Sequence, residues 1–485
     1  MGALVAAVNK NKQNAVPAVA TMLEELVHRG NSGHGIATSN VVEKASTLNK
    51  LKLNSLESNI TLGHNLSLIL PRDSLQPVQA DGFTFVFEGR MFPAPNLPDL
   101  SELKEFKTLL GSNPLKNAAQ ILEKVGGSYV FVVAAPKKLL VGRDVFGATS
   151  LYYGENDSVC AVASERKALW KLGLTNAQSF PPGQLAIVNE HGFSFHPVKG
   201  LRMPPQNKLN METAANALQL LLLESTRKQV SDLESVAVAF SGGVDSSVVA
   251  TLAQEVGVEV QLISVGLEGQ PEVMFTQEAA EALDLPLHLQ TYNVNELEET
   301  IHKVLWLTED ANVIDACIAV PFYWLAQTAS KLGHPVLLAG QGADELFGGY
   351  HRYLTEYAKS GAEAVQQKMF YDIQNAYHQN FQRDNQTCSP HGVELRLPFI
   401  NCDVIDFALR LPLKLKINST EDKLRKRILR RVAHNLEIPS ILADKPKKAV
   451  QYTTGVTKAL MQLAKDQNLT LREYIEKVYR TVFPA

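Results

Sequence analysis

Cysteine is scarce in this chain: four among 485 residues, at Cys160, Cys317, Cys388 and Cys402, and none before Cys160. They lack metal-ligand spacing and are too few for a disulfide scaffold, so a reduced, cytoplasmic setting is expected. No apolar run is long enough to span a bilayer, the longest (130–135 and 220–223) being the size of core segments. The opening MGALVAAVNKNK has neither the basic start nor the extended apolar middle of a signal peptide. Ala6 stands where a myristoylation signal needs Ser or Thr. Charge of one sign is also missing, since 47 Lys and Arg against 50 Asp and Glu leave a net of −3. That balance gives no reason to expect nucleic acid or an acidic membrane surface as a partner. What is present is 45% hydrophobic and 20% charged residues over a length too great for one ordinary core. A globular protein of two or three domains is expected.

The stretch that organises the rest is Ser241-Gly242-Gly243-Val244-Asp245-Ser246-Ser247. Before it, residues 235–240 (SVAVAF) form a short unbroken apolar run suited to a strand buried on both faces. After it, 246–256 has helical length and composition, with Ser246 or Ser247 as cap. A tight strand-to-helix turn with two glycines and several hydroxyls presents backbone N–H groups at a helix N-terminus, a site for a phosphate-like anion. Asp245 would repel a bare phosphate, so its expected task is to hold a Mg²⁺ that bridges to one. An ordinary βα turn is the bland alternative. The strand, the loop and the helix in succession favour the nucleotide. The segment resembles the pyrophosphate-binding PP-loop of ATP pyrophosphatases that adenylate a substrate, and it is not a Walker loop.

Around that loop, apolar runs at 236–240, 258–265, 285–291 and 336–339 alternate with helical segments, after an amphipathic helix over 212–230. This predicts a doubly wound parallel sheet with ligands at the carboxyl ends of its strands. The second strand end, with Val265 and Gly266, is either an adenine seat or just a turn. The fourth runs into Gly340-Gln341-Gly342-Ala343-Asp344-Glu345, where glycines suggest backbone crowded against a ligand and Asp344 a second metal carboxylate beside Asp245. With the SGGVDSS loop upstream, this segment resembles the asparagine synthase family, which includes asparagine synthetases and β-lactam synthetases. The segment 383–401 (RDNQTCSPHGVELRLPFIN) continues the likeness, with Glu394 and Arg396 expected as a structural ion pair. Residues 421–433 read as a basic helix. In 445–456 (KPKKAVQYTTGV), Lys447 or Lys448 best matches the family lysine that neutralises phosphates, a task suited to a compact point charge; a basic surface loop is the alternative.

The first two hundred residues alternate short β-like runs with glycine turns. Within them VGRDVFGATSLYY (141–153), ASERKAL (163–169) and FPPG (180–183) occur in an order that resembles the glutaminase domain of class II glutamine amidotransferases. The departures are pointed. Position 2, where the family has its nucleophilic cysteine, is Gly2. Gly63-His64-Asn65-Leu66 lacks the arginine that grips the glutamine carboxylate. Phe87-Glu88-Gly89-Arg90 puts an anion where the family has an oxyanion-stabilising asparagine. The domain is expected to keep its fold and lack glutaminase activity.

The expected fold class is an α+β N-terminal Ntn-hydrolase-like sandwich followed by an α/β doubly wound ATP-pyrophosphatase (adenine nucleotide alpha hydrolase-like) domain with C-terminal helices. The expected boundaries are 1–200, a linker at 201–210, and 211–485. The resemblance implies ATP and Mg²⁺ as cofactors and amide synthesis through an acyl-adenylate. For an asparagine synthetase the acid is aspartate and, with the glutaminase lost, the amine is free ammonia; a homodimer is an open assembly. Two departures bear on the acid: Gln341 replaces a family glutamate, and Cys317 aligns with a substrate-binding arginine in a stretch, 309–321, that holds no basic residue. A ligase for a different acid and amine, and an ATP-binding regulator without turnover, are the alternatives.

Overall fold

The computed structural model describes residues 2–92 and 102–484. The chain divides into two compact units, one of residues 1–201 with 389–392, the other of 202–388 with 393–485.

The first unit is built on two antiparallel sheets. Seven strands make one, in the order Gln178–Ser179, Tyr152–Glu155, Val159–Ala163, Gly2–Asn9, Ile60–Leu66, Gly33–Ala37, Val42–Ala45. The other has six: Gly192–Pro197, Gln184–Asn189, Lys138–Arg143, Gly126–Ala135, Phe83–Phe92, Val78–Ala80. Alternation along the first strand explains the layering. Leu4, Ala6 and Val8 pack with Val86, Val130 and Val132 of the second sheet, while Ala3, Val5 and Ala7 pack with Val16, Val19 and Leu23 of the helix Val16–Glu25. On the far side Phe85, Phe87 and Phe131 pack against Phe106 and Ile121, from the helices Glu102–Leu110 and Pro114–Lys124. Both sheets are therefore apolar on both faces, and the unit is a helix–sheet–sheet–helix stack. The expected α+β sandwich is the fold found. The hairpins over 152–163 and 184–197 and the helices Glu102–Leu110 and Pro114–Lys124 add to the elements expected from the sequence.

The second unit holds a five-stranded parallel sheet in the order Leu287–Tyr292, Glu259–Leu267, Ser235–Ala239, Val336–Leu338, Glu394–Arg396. The four strands anticipated from apolar runs are present within two or three residues. The fifth is only three residues long and pairs Glu394–Arg396 in register with Val336–Leu338; two of its three side chains are charged, which hides it from a hydrophobicity reading. Arg396 there bonds Glu394 (2.6 Å) and Asp232 (2.7 Å), the structural pairing expected of it. Strand order reverses between Ser235–Ala239 and Val336–Leu338, the place where parallel sheets of this kind open a crevice. Both glycine-rich loops leave the sheet there.

Candidate active site

The strand Ser235–Ala239 passes through residues 240–243 into the helix Val244–Glu255. Its N-cap is Gly243, without a side-chain cap, so the first-turn N–H groups stay open to a ligand. Ser246 and Ser247 do not cap as the sequence suggested. They sit inside the first turn and donate their hydroxyls back to the Gly243 carbonyl at 3.1 and 3.0 Å, because the helix starts two residues earlier than its composition implied. Ser241, Asp245 and Ser246 line a cavity of about 850 Å³. Gly242, Gly243, Val244 and Ser247 form the turn behind them.

The second loop, after Val336–Leu338, comes close to the first. A Cβ at Gly340 would lie 2.9 Å from the Asp245 Cβ, so only glycine lets the two backbones approach this far. Gly340 and Gln341 line the cavity, as do Val265 from the neighbouring strand and Asp344. Gly342 is the left-handed N-cap of the short helix Ala343–Phe347, and Gly266 packs beside Val273 and Thr454. Asp245 and Asp344, 99 residues apart in the chain, thus share one wall.

Between these carboxylates stands Lys426, fully buried, with its Nζ 2.6 Å from Asp245 Oδ2 and 2.5 Å from Asp344 Oδ1. Lys447 approaches from the other side, with its Nζ 2.6 Å from Asp344 Oδ2 and 3.8 Å from Asp245 Oδ2. Burial opposes the charge on Asp344, but Lys426 and Lys447 outweigh it and hold its carboxyl well below the usual range. Burial likewise opposes the Lys447 ammonium, and Asp344 and Asp245 keep it protonated above the ordinary lysine value. Lys448 is elsewhere: it is largely exposed and pairs with Glu272 at 2.6 Å. Of the two candidate lysines, the cavity has Lys447.

Lys426 went unread in the sequence because it sits among the many cations of 421–433. That stretch is not one helix. The helix is Arg427–Asn435, and before it Arg425 and Lys426 both adopt left-handed backbone (φ 55° and 51°). Two consecutive non-glycine residues there cost about 1–2 kcal/mol each, strain that the ion pairs of Lys426 offset and that turns its side chain inward.

The cavity's remaining wall comes from helices. Asp315, in the first turn of Val313–Lys331, accepts from Arg383 Nη1 at 2.8 Å. Arg383 also donates to Asp384 (2.8 Å) and to the Gln379 carbonyl (2.9 Å). Gln341 donates its amide N–H to Asp384 at 2.5 Å. Glu345 is buried and accepts from Tyr350 (2.6 Å) and Asn380 (2.7 Å); burial raises its carboxyl pKa. Cys317 is 2% exposed and is not part of the cavity lining, and burial raises its thiol. No group of three or more His, Cys, Asp or Glu is arranged to hold a metal ion among the described residues. Asp245 Oδ1 has no hydrogen-bond partner. The two carboxylates therefore fit a hard cation that takes its other ligands from phosphate and water, as Mg²⁺ does.

The first unit gathers its own charges at the positions singled out above. Gly2 pairs with Leu66 in the sheet, and Gly2 N donates to Glu88 Oε1 at 2.7 Å. Glu88 also faces His64 (3.4 Å) and Arg29 (3.8 Å). Burial would raise its carboxyl, but His64 and Arg29 bring it to about 2. Arg29 donates to the Gly2 carbonyl (2.8 Å) and to Glu165 (3.1 Å), which also meets His28 (2.9 Å) and Lys167. The space lined by Leu66, Glu88 and Gly89 is about 20 Å³, room for about one water.

Comparison with known proteins follows this division. The family profile described as Asparagine synthase matches residues 217–362 and 354–481, and that of a Glutamine amidotransferase domain matches 64–171. A putative asparagine synthetase [glutamine-hydrolyzing] 1 of Methanocaldococcus jannaschii is 28% identical over 98% of this chain and 98% of its own length. Asparagine synthetase [glutamine-hydrolyzing] 1 of Arabidopsis thaliana is 28% identical over 64% of this chain, and the match spans about half (54%) of that relative's length. Among solved structures, glutamine phosphoribosylpyrophosphate amidotransferase from B. subtilis aligns at a TM-score of 0.35 and 16% identity over 59% of this chain and 65% of that one. The Asparagine synthase profile covers more than half of the 485 residues, including both glycine-rich loops and the two lysines between their carboxylates: the chain belongs to the asparagine synthase family.

Proposed function

We propose that the protein makes an amide bond at the expense of ATP, forming asparagine from aspartate and free ammonia and releasing AMP and pyrophosphate. The observation that carries this reading is the pair Asp245 and Asp344, brought from two strand ends to one cavity wall and bracketed by two lysines. A carboxylate oxygen of the acid attacks the α-phosphorus of ATP, and the bond to the bridging oxygen breaks as pyrophosphate leaves. The amine then attacks the acyl carbon, AMP departs with the carboxylate oxygen, and the nitrogen loses a proton. Asp245 and Asp344 would hold Mg²⁺, which when bound neutralises phosphate charge. The open amides of the loop 241–247 cradle the pyrophosphate portion, with 265–266 and 340–342 as neighbouring walls. Lys447, which is partly exposed at 23%, is free to exchange its carboxylate partner for phosphate as the charge develops.

Free ammonia as the nitrogen source is supported by the first unit. A Cβ at Gly2 would fall 1.8 Å from the Asn65 carbonyl oxygen, so the backbone at that position has no room for a nucleophilic side chain. Glu88 is committed to Gly2, His64 and Arg29, and the remaining space is far below the size of glutamine. No helix among the described residues is long and apolar enough to cross a membrane, and a cytoplasmic site of action accords with four free cysteines.

ATP–pyrophosphate exchange tests the reading. Aspartate-dependent exchange, followed by asparagine formation on adding ammonium and none on adding glutamine, is the expected outcome. Exchange with another acid only would make the protein a ligase of the same chemistry. Glutamate released from glutamine by purified protein would sink the ammonia assignment.

A further inference from the structure

We propose that Arg352 is a specificity-determining residue of this cavity, binding the second, unreacted carboxylate of the acid activated there. The proposal rests on the adenylation reading above. An acid that presents one carboxylate to the α-phosphate and carries another needs a cation for the second, because a buried unpaired carboxylate is costly.

Three of the residues lining the cavity are Lys or Arg: Lys447, Arg383 and Arg352. Lys447 is engaged at the nucleotide end by Asp344. Arg383 is 5% exposed and spreads its donors over Asp384, Asp315 and the Gln379 carbonyl. Arg352 differs from both. Its side chain is 47% exposed, and it gives one hydrogen bond, from Nη2 to Asp372 at 2.9 Å. The rest of its planar fork is left for a ligand, and that fork matches carboxylate geometry.

Arg352 is also held in place as a recognition group must be. Its guanidinium carbon lies 4.0 Å from the centre of the Tyr350 ring, a stacking contact that leaves the edge of the fork open. Tyr350 is fixed in turn by its hydroxyl on Glu345, the neighbour of Asp344. Asp372 is nearly buried and is fixed by the Tyr353 hydroxyl at 2.7 Å. The guanidinium is thus tied at both sides, once to the frame that carries the Asp344 carboxylate. This supplies from the segment after the glycine-rich loop a cation that the helix Val313–Lys331 does not direct into the cavity, where Cys317 is buried away from the lining.

The test is acid-dependent ATP–pyrophosphate exchange on the full chain with two pairs of acids, each pair differing by one carboxylate: aspartate against β-alanine, and succinate against propionate. Wild-type protein should favour the dicarboxylate of at least one pair. Arg352→Gln should raise the KM for that acid about tenfold to a hundredfold, the range for hydrogen bonds to a charged group, leave the KM for ATP within about twofold, and erase the preference. Arg352→Lys should restore part of the preference through charge alone. Arg352→Gln with the preference intact, or a wild type that favours neither dicarboxylate, overturns the assignment of Arg352. A wild type that exchanges with none of the four acids overturns the proposed adenylation of aspartate, and the two failures are told apart by the wild-type lane.

Discussion

Both units bury a knot of opposite charges, and they use it differently. In the first, Glu88, Arg29, Glu165, His28, His64 and Lys167 pair with one another and with the backbone of Gly2, around a space of about 20 Å³. In the second, Asp245, Asp344, Lys426 and Lys447 close the same kind of circuit on the wall of a cavity of about 850 Å³, with one lysine partly exposed. Buried ion pairs by themselves say little about either stability or function. The difference is room: about 850 Å³ beside the second cluster against about 20 Å³ beside the first.

Substitutions sharpen that contrast. The largest effect is expected at Lys447: Lys447→Ala should lower kcat for acid-dependent exchange by about a hundredfold to a thousandfold, the usual loss for one charge-stabilising group, while thermal unfolding moves little. An unfolding shift as large as the kinetic one would instead make Lys447 structural. Next comes Glu88→Gln, which should leave exchange unchanged and lower stability. Removing one partner of a buried ion pair costs about 3–5 kcal/mol, and the isosteric amide, which keeps the Gly2 hydrogen bond, should fall toward the lower end of that range. Because the Glu88 carboxyl is depressed from 4.5 to about 2 in the folded protein, its stabilisation is complete above pH 4.5 and fades as pH falls toward about 2. Denaturant midpoints of wild type and Glu88→Gln should differ at pH 7 and converge in acid. A gap that is constant with pH would mean the ionised form is not what counts. The smallest effect is expected at Lys448→Ala. Its exposed pair with Glu272 contributes about 0–1 kcal/mol, and exchange should stay within about twofold of wild type; a large kinetic loss there would return the phosphate role to Lys448.

The site was legible in the sequence where chemistry is local. A strand, two glycines and an acid in a row mark a candidate phosphate turn, and so the loops 241–247 and 340–345 could be singled out without coordinates. It was illegible where contacts join distant segments. Lys426 lies 181 residues from Asp245, and Arg383 lies 68 from Asp315. In sequence each is one cation in a polar stretch, and the left-handed turn at 425–426 that aims Lys426 inward has no residue signature of its own. Arg352 follows Gly349 by three residues, yet only the ring of Tyr350 beneath it and Asp372 beside it distinguish it from a solvated arginine.

For this protein, then, the sequence by itself determined a parallel sheet with glycine-rich loops at its strand ends, because apolar period and turn chemistry are written within a few residues, while the absent cysteine, arginine and asparagine of the first two hundred residues stand out only through the resemblance to class II glutamine amidotransferases. The tertiary structure decided which charges meet: Lys447 on the cavity and Lys448 off it, Cys317 buried away from the lining, Gln341 held by Asp384, and Arg352 with its fork unspent. Electrostatic roles depend on distance and burial, and only the folded chain sets either one.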